Sequence, residues 1–76
     1  MKIKIKDMND AQEIVKIAES YKDFDIDCIC GRYVIDLKSI MGVLSLGLPK
    51  VVDVKIRTDN DIYFNSVQDC LKKWRV

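Results

Sequence analysis

Polar and apolar residues alternate along several stretches of the chain, and between them apolar positions recur at helical spacing. Lys2-Ile3-Lys4-Ile5-Lys6 alternates strictly, which predicts a strand with Ile3 and Ile5 facing a core and the lysines facing water. Phe24, Ile26, Cys28 and Cys30 alternate with Asp25, Asp27 and Ile29 in a second strand. Gly31-Arg32 reads as a tight hairpin turn, the glycine supplying a positive φ, and Tyr33 to Leu37 form a third strand. Val52, Val54 and Ile56 alternate with Asp53, Lys55 and Arg57 in a fourth strand, after a Leu48-Pro49-Lys50 loop.

Three segments have the period of helices. Ala11, Ile14, Val15, Ala18 and Tyr21 predict a helix from about Asp10 to Tyr21, with Asn9 and Gln12, or Asp10 and Glu13, as a capping box. Ser39 is a good N-cap, and Gly47 suits a helix end because glycine enters the left-handed region freely. Thr58 to Asp61 read as a turn and cap, and Asp59-Asn60-Asp61 lacks the glycine and distal glutamate of a calcium loop. Phe64, Val67, Leu71 and Trp74, with Tyr63 and Cys70 beside them, carry a last helix.

The resulting order is β-α-β-β-α-β-α. Every strand has polar alternates, so one sheet face is wet, which favours an antiparallel sheet with its helices on the other face. The expected fold is an α+β open-faced β-sandwich, a four-stranded antiparallel sheet covered on one face by three helices. The split β-α-β pattern with right-handed crossovers places the fourth strand between the first and second. The wet face then carries the lysines of strand one beside Asp53, Lys55 and Arg57, and these beside Asp25 and Asp27.

Length and composition narrow the function. A chain of 76 residues predicts one domain, residues 1–76, and 49% apolar residues suffice for a compact core without staples. Its 13 basic and 12 acidic side chains leave a net charge of +1, which gives no long-range attraction for nucleic acid or an acidic membrane. No apolar run approaches the roughly 20 residues of a membrane span. Met1 to Lys6 alternate charge with isoleucine, a pattern unlike a signal peptide. Three cysteines, an odd count, point to free thiols in a reducing cytoplasm. Cys28 and Cys30 share a strand face, but structural zinc takes four ligands, so core packing is expected and no metal or other cofactor. Histidine is absent, which removes the usual general base and metal ligand.

Between Ser39 and Gly47 lie Ile40, Met41, Val43, Leu44 and Leu46, more apolar residues than one face of so short a helix can bury. Val43 and Leu46 are expected inside and Ile40 and Met41 outside, beside a modifiable hydroxyl. Lys38-Ser39-Ile40-Met41-Gly42-Val43-Leu44-Ser45-Leu46-Gly47 closely resembles the serine-site helix of the HPr family, the small phosphocarriers of the bacterial sugar phosphotransferase system. Gly31 to Leu37 also resemble that family's hairpin and third strand, and the element order matches along nearly the whole chain.

The resemblance implies an HPr-like protein whose Ser39 is a kinase target. Lys38, Ser39, Ile40, Met41 and Leu44 would then meet protein partners: phosphotransferase-system components, the serine kinase or a transcriptional regulator. It also exposes a departure. The family's Gly-(Ile/Leu)-His-Ala-Arg-Pro signature falls here on Lys6-Asp7-Met8-Asn9-Asp10-Ala11-Gln12, and the histidine's place lies near Asp7 or Met8. The histidine, the arginine and the proline are all missing. The expectation is therefore a cytoplasmic, non-enzymatic regulatory or adaptor protein. The alternative is a phosphocarrier with an unconventional acceptor such as Asp7, since carboxylates form acyl phosphates.

Overall fold

The strands form where the alternation is strict, because each then presents one continuous apolar face. The computed structural model describes residues 1–76. Its elements are β1 (Lys2–Ile5), α1 (Met8–Glu19), β2 (Asp25–Cys30), β3 (Tyr33–Asp36), α2 (Ile40–Leu44), β4 (Lys50–Arg57) and α3 (Asp61–Leu71), followed by a 3₁₀ turn at Lys72–Trp74. The order β-α-β-β-α-β-α and the α+β architecture expected from the sequence are present. The four strands make one antiparallel sheet in the order β1-β4-β2-β3, with β4 inserted between the first two strands.

Ile3, Ile5, Ile26, Cys28, Val52, Val54 and Ile56 point from the sheet into a cluster of 16 buried residues. Ala11, Ile14, Val15 and Ala18 from α1, and Val67, Leu71 and Trp74 from the C-terminal segment, close it. Burying such side chains is worth about 1.5–3 kcal/mol each before entropy is counted, so this layer supplies most of the driving force. On the wet face Lys2 pairs in register with Asp53, Asp27 with Lys55 and Asp25 with Arg57. Arg57 also forms an ion pair with Asp27 across the diagonal. The Gly31-Arg32 turn joins Cys30 to Tyr33, and only Gly31 takes a positive φ (59°), the arrangement of a type II′ hairpin.

Three boundaries differ from the sequence reading. β4 begins at Lys50, because β1 runs far enough to pair Lys4 with Val51 and Ile5 with Lys50. α3 stops at Leu71, and Trp74 reaches the core from the 3₁₀ turn. Helix α1 starts at Met8 rather than near Asp10, and neither expected capping box forms. Asp7 is the N-cap: its Oδ1 accepts the Asp10 N–H at 3.0 Å, and Asp10 Oδ2 accepts the Lys6 N–H at 3.1 Å. The two carboxylates hold the turn from both sides. At the opposite end of its segment α3 follows the expected cap, with Asn60 Oδ1 accepting from the Ile62 and Tyr63 N–H groups.

Asp10 is buried, and burial alone would raise its pKa. The Lys6 N–H, the nearby Trp74 indole dipole and the charges of Lys6 and Lys73 outweigh that effect and hold the carboxyl below its ordinary value of 3.8. A depressed folded-state pKa contributes stability above the unfolded value and loses it as pH falls through the folded one. Asp10→Asn is therefore expected to be less stable than the parent near neutrality, with the difference shrinking on acidification below pH 3.8. Urea unfolding followed by circular dichroism across that range checks this. Cys28 lies wholly inside, and burial, with a smaller contribution from Cys30, pushes its thiol up to about 11. Exposed Cys70 should therefore react with iodoacetamide in the native protein and Cys28 only after unfolding, as peptide mass mapping would show.

Candidate functional site

The site is built where the chain leaves β3. Leu37 is fully buried, and its N–H donates to the Ile26 carbonyl at 2.9 Å, anchoring the exit to β2. Asp36 then reverses the chain. Its Oδ1 accepts the Lys38 N–H at 2.9 Å and its carbonyl accepts the Ser39 N–H at 3.0 Å. This is an aspartate-templated turn of the kind in which a short carboxylate mimics a backbone acceptor. Ser39 has extended dihedrals (φ −104°, ψ 107°), and its Oγ accepts the Gly42 N–H at 3.2 Å. It is the N-cap of α2, as its position before the apolar run predicts, and it is exposed. The segment closes with Ser45 donating from Oγ to the Gly42 carbonyl at 2.6 Å and with Gly47 at a positive φ of 77°.

Gly42 is the residue that sequence reasoning passed over. A Cβ built there would lie 2.7 Å from Ile35 Cγ2 and 3.3 Å from Ser39 Oγ. Its absence lets α2 pack closely on β3 at Ile35 and leaves the capping hydroxyl uncrowded. No periodic pattern signals this, because the constraint comes from a strand earlier in the chain. Asp36 carried a readable signal, an aspartate two residues ahead of a free backbone N–H.

The other residues expected at the site divide. Met41 is 76% exposed and stands on the outer face of α2. Val43 is fully buried, as expected. Ile40 and Leu44 are half-buried and pack on the core, and so is Leu46, so the apolar surplus is shared more evenly than a division into inside and outside residues implied. Lys38 is tied back: its Nζ donates to the Phe24 carbonyl at 2.5 Å, which fastens the turn to the start of β2. Its ammonium is therefore engaged away from Ser39. Asp7 and Met8 lie at the start of α1, which packs against α2. Asp7 is the exposed cap described above, and Met8 is 55% exposed. No grouping of three or more cysteine, aspartate or glutamate side chains is placed to hold a metal ion. No helix is long and apolar enough to cross a membrane.

Residues 7–67 match the family model described as the PTS HPr component phosphorylation site. The chain belongs to the HPr family. No curated protein and no solved structure matches it. The HPr family match relates the protein to the phosphotransferase system, whose proteins the family's members interact with. In this HPr relative the matched span begins at the Asp7 cap and takes in the whole Ser39 turn, although the chain contains no histidine.

Loss of the Ser39 cap in Ser39→Ala should cost about 1 kcal/mol, the usual penalty for a removed serine cap. Gly42→Ala gains helix propensity but forces a methyl group against a β-branched side chain, so a net loss of about 1–2 kcal/mol is expected. Urea midpoints compared at constant slope measure both.

Proposed function

We propose that this HPr family protein is a regulatory or adaptor protein that meets protein partners through α2, under the control of phosphorylation at Ser39. One observation carries the reading: an exposed serine hydroxyl caps a helix whose Met41 side chain is 76% exposed, in a chain with no histidine to carry phosphate. Ser39 and Met41 form the centre of the partner surface. Ile40 and Leu44 contribute at its margin with their half-exposed faces, and Lys38 holds the turn in place from behind. A phosphate on Ser39 adds nearly two negative charges and strong acceptor oxygens beside the apolar Met41. It can keep the Gly42 amide that the hydroxyl already holds, so modification changes the surface while preserving the fold. Charge at the rim of an apolar contact then discriminates between partners.

Asp7 is the weaker phosphate acceptor. Its Oδ1 holds the first turn of α1, and phosphorylation of the other oxygen would turn that acceptor from a carboxylate into a weaker acyl carbonyl. The sites are separated by labelling. With ATP and the family's serine kinase, a phosphate mass shift is expected on Ser39 and none on Ser39→Ala. The phosphorylated and unmodified forms should differ in affinity for the family's transcriptional regulator, and Met41→Asp should weaken that contact while leaving the circular dichroism unchanged. Failure of the kinase to modify Ser39 overturns the switch. A hydroxylamine-sensitive label from phosphoenolpyruvate and the general phosphotransferase would move the function to Asp7.

A further inference from the structure

β3 is an edge strand whose outer side is unpaired. The Leu37 N–H to Ile26 carbonyl bond sets the phase of the β2–β3 ladder. By the alternation of antiparallel pairing, Tyr33 and Ile35 also direct their backbone groups to β2. The N–H and C=O of Val34, the N–H of Asp36 and the C=O of Arg32 therefore point outward. No other backbone bond of the chain uses the Val34 groups or the Asp36 N–H. The edge has no proline and no lysine, and its protection is limited to its shortness and the charges at its two ends. The opposite edge, β1, is flanked by lysines and is bridged at Ile3 by Arg75.

The charges along this edge are self-complementary. Val34 and Asp36 share the wet face, and Arg32 stands in the turn just before β3, so the edge runs cation, apolar, anion along its length. Neither Arg32 nor Asp36 takes part in an ion pair within the chain. Val34 is 61% exposed and Tyr33, on the other face, 63%.

We propose that a second copy of this chain pairs with this edge, β3 against β3 and antiparallel, with Val34 opposite Val34. In that register the outward-facing groups become the hydrogen-bonded pairs. Each copy donates from Val34 N–H to the other copy's Val34 carbonyl and from Asp36 N–H to its Arg32 carbonyl. The same register sets Arg32 of each copy opposite Asp36 of the other at both ends, and Tyr33 opposite Ile35 on the helix-facing side. The two sheets become one continuous sheet, and α2 of each copy stays uncovered for other partners. Two four-residue edges bury little area, so the dimer is weak and readily reversible.

Sedimentation equilibrium of the whole protein up to about 1 mM should show reversible dimerisation in that range. The Val34 and Asp36 amides should gain hydrogen-exchange protection as concentration rises. Val34→Pro removes an outward N–H that the monomer does not use, and should leave the circular dichroism intact while abolishing association. Arg32→Asp sets an anion against Asp36 of the other copy in a homodimer, and should associate at least about tenfold more weakly. A wild-type protein that stays monomeric, or a Val34→Pro or Arg32→Asp variant that associates like wild type, overturns the proposal.

Discussion

The fold depends on β4 lying between β1 and β2. Its Val52, Val54 and Ile56 fill the centre of the apolar layer, and both its edges are hydrogen-bonded. Because β1 and β2 are each antiparallel to β4, they run the same way as each other, and so do β3 and β4 on either side of β2. Strands that run the same way cannot be joined by a hairpin and need a connection across the sheet. α1 makes that connection for the first pair and α2 for the second. The position of the Ser39 turn follows from this requirement: something must carry the chain from the β3 edge over β2 to the centre, and α2 is the shortest helical segment that does so here.

A connection that short leaves little room for error, and the turn is correspondingly over-determined. Leu37 is pinned in the core, Asp36 captures two successive amides, Lys38 is fastened to the start of β2, and the glycine at position 42 lets the helix sit against Ile35. The result is a serine hydroxyl held rigidly on the surface by a framework in which every other element of the turn is engaged inward. Met41 is the exception, standing 76% exposed on the outer face of α2.

Much of this was legible in the residues. β1 alternates throughout and β4 from Val52 onward, so their faces could be read directly, and the split β-α-β pattern supplied the strand order. Ser39 and Gly47 bracket an apolar run with the chemistry that helix ends require. The start of α1 was not legible in the same way. Asp7, Asn9 and Asp10 are equally good caps by type, and the choice is made by the Lys6 amide, which reaches Asp10 only once β1 has been placed. The role of Lys38 was hidden for a related reason, since a lysine beside a serine reads as a solvated charge until the Phe24 carbonyl lies within its reach. The even sharing of exposure among Ile40, Leu44 and Leu46 also depends on how closely α2 meets β3, which Gly42 decides. Local chemistry was readable; contacts between segments distant in sequence were not.

Trp74 sits at the far end of the chain from these questions, buried in the last turn with its indole nitrogen lacking a hydrogen-bond partner and with the Lys73 ammonium 5.0 Å from the ring. It is also the protein's single tryptophan. The chain's indole emission therefore comes from one shielded position, where the C-terminal turn closes over α1 and β1. The colour of that emission is an optical record of whether the turn is docked, read without attaching any label to the molecule.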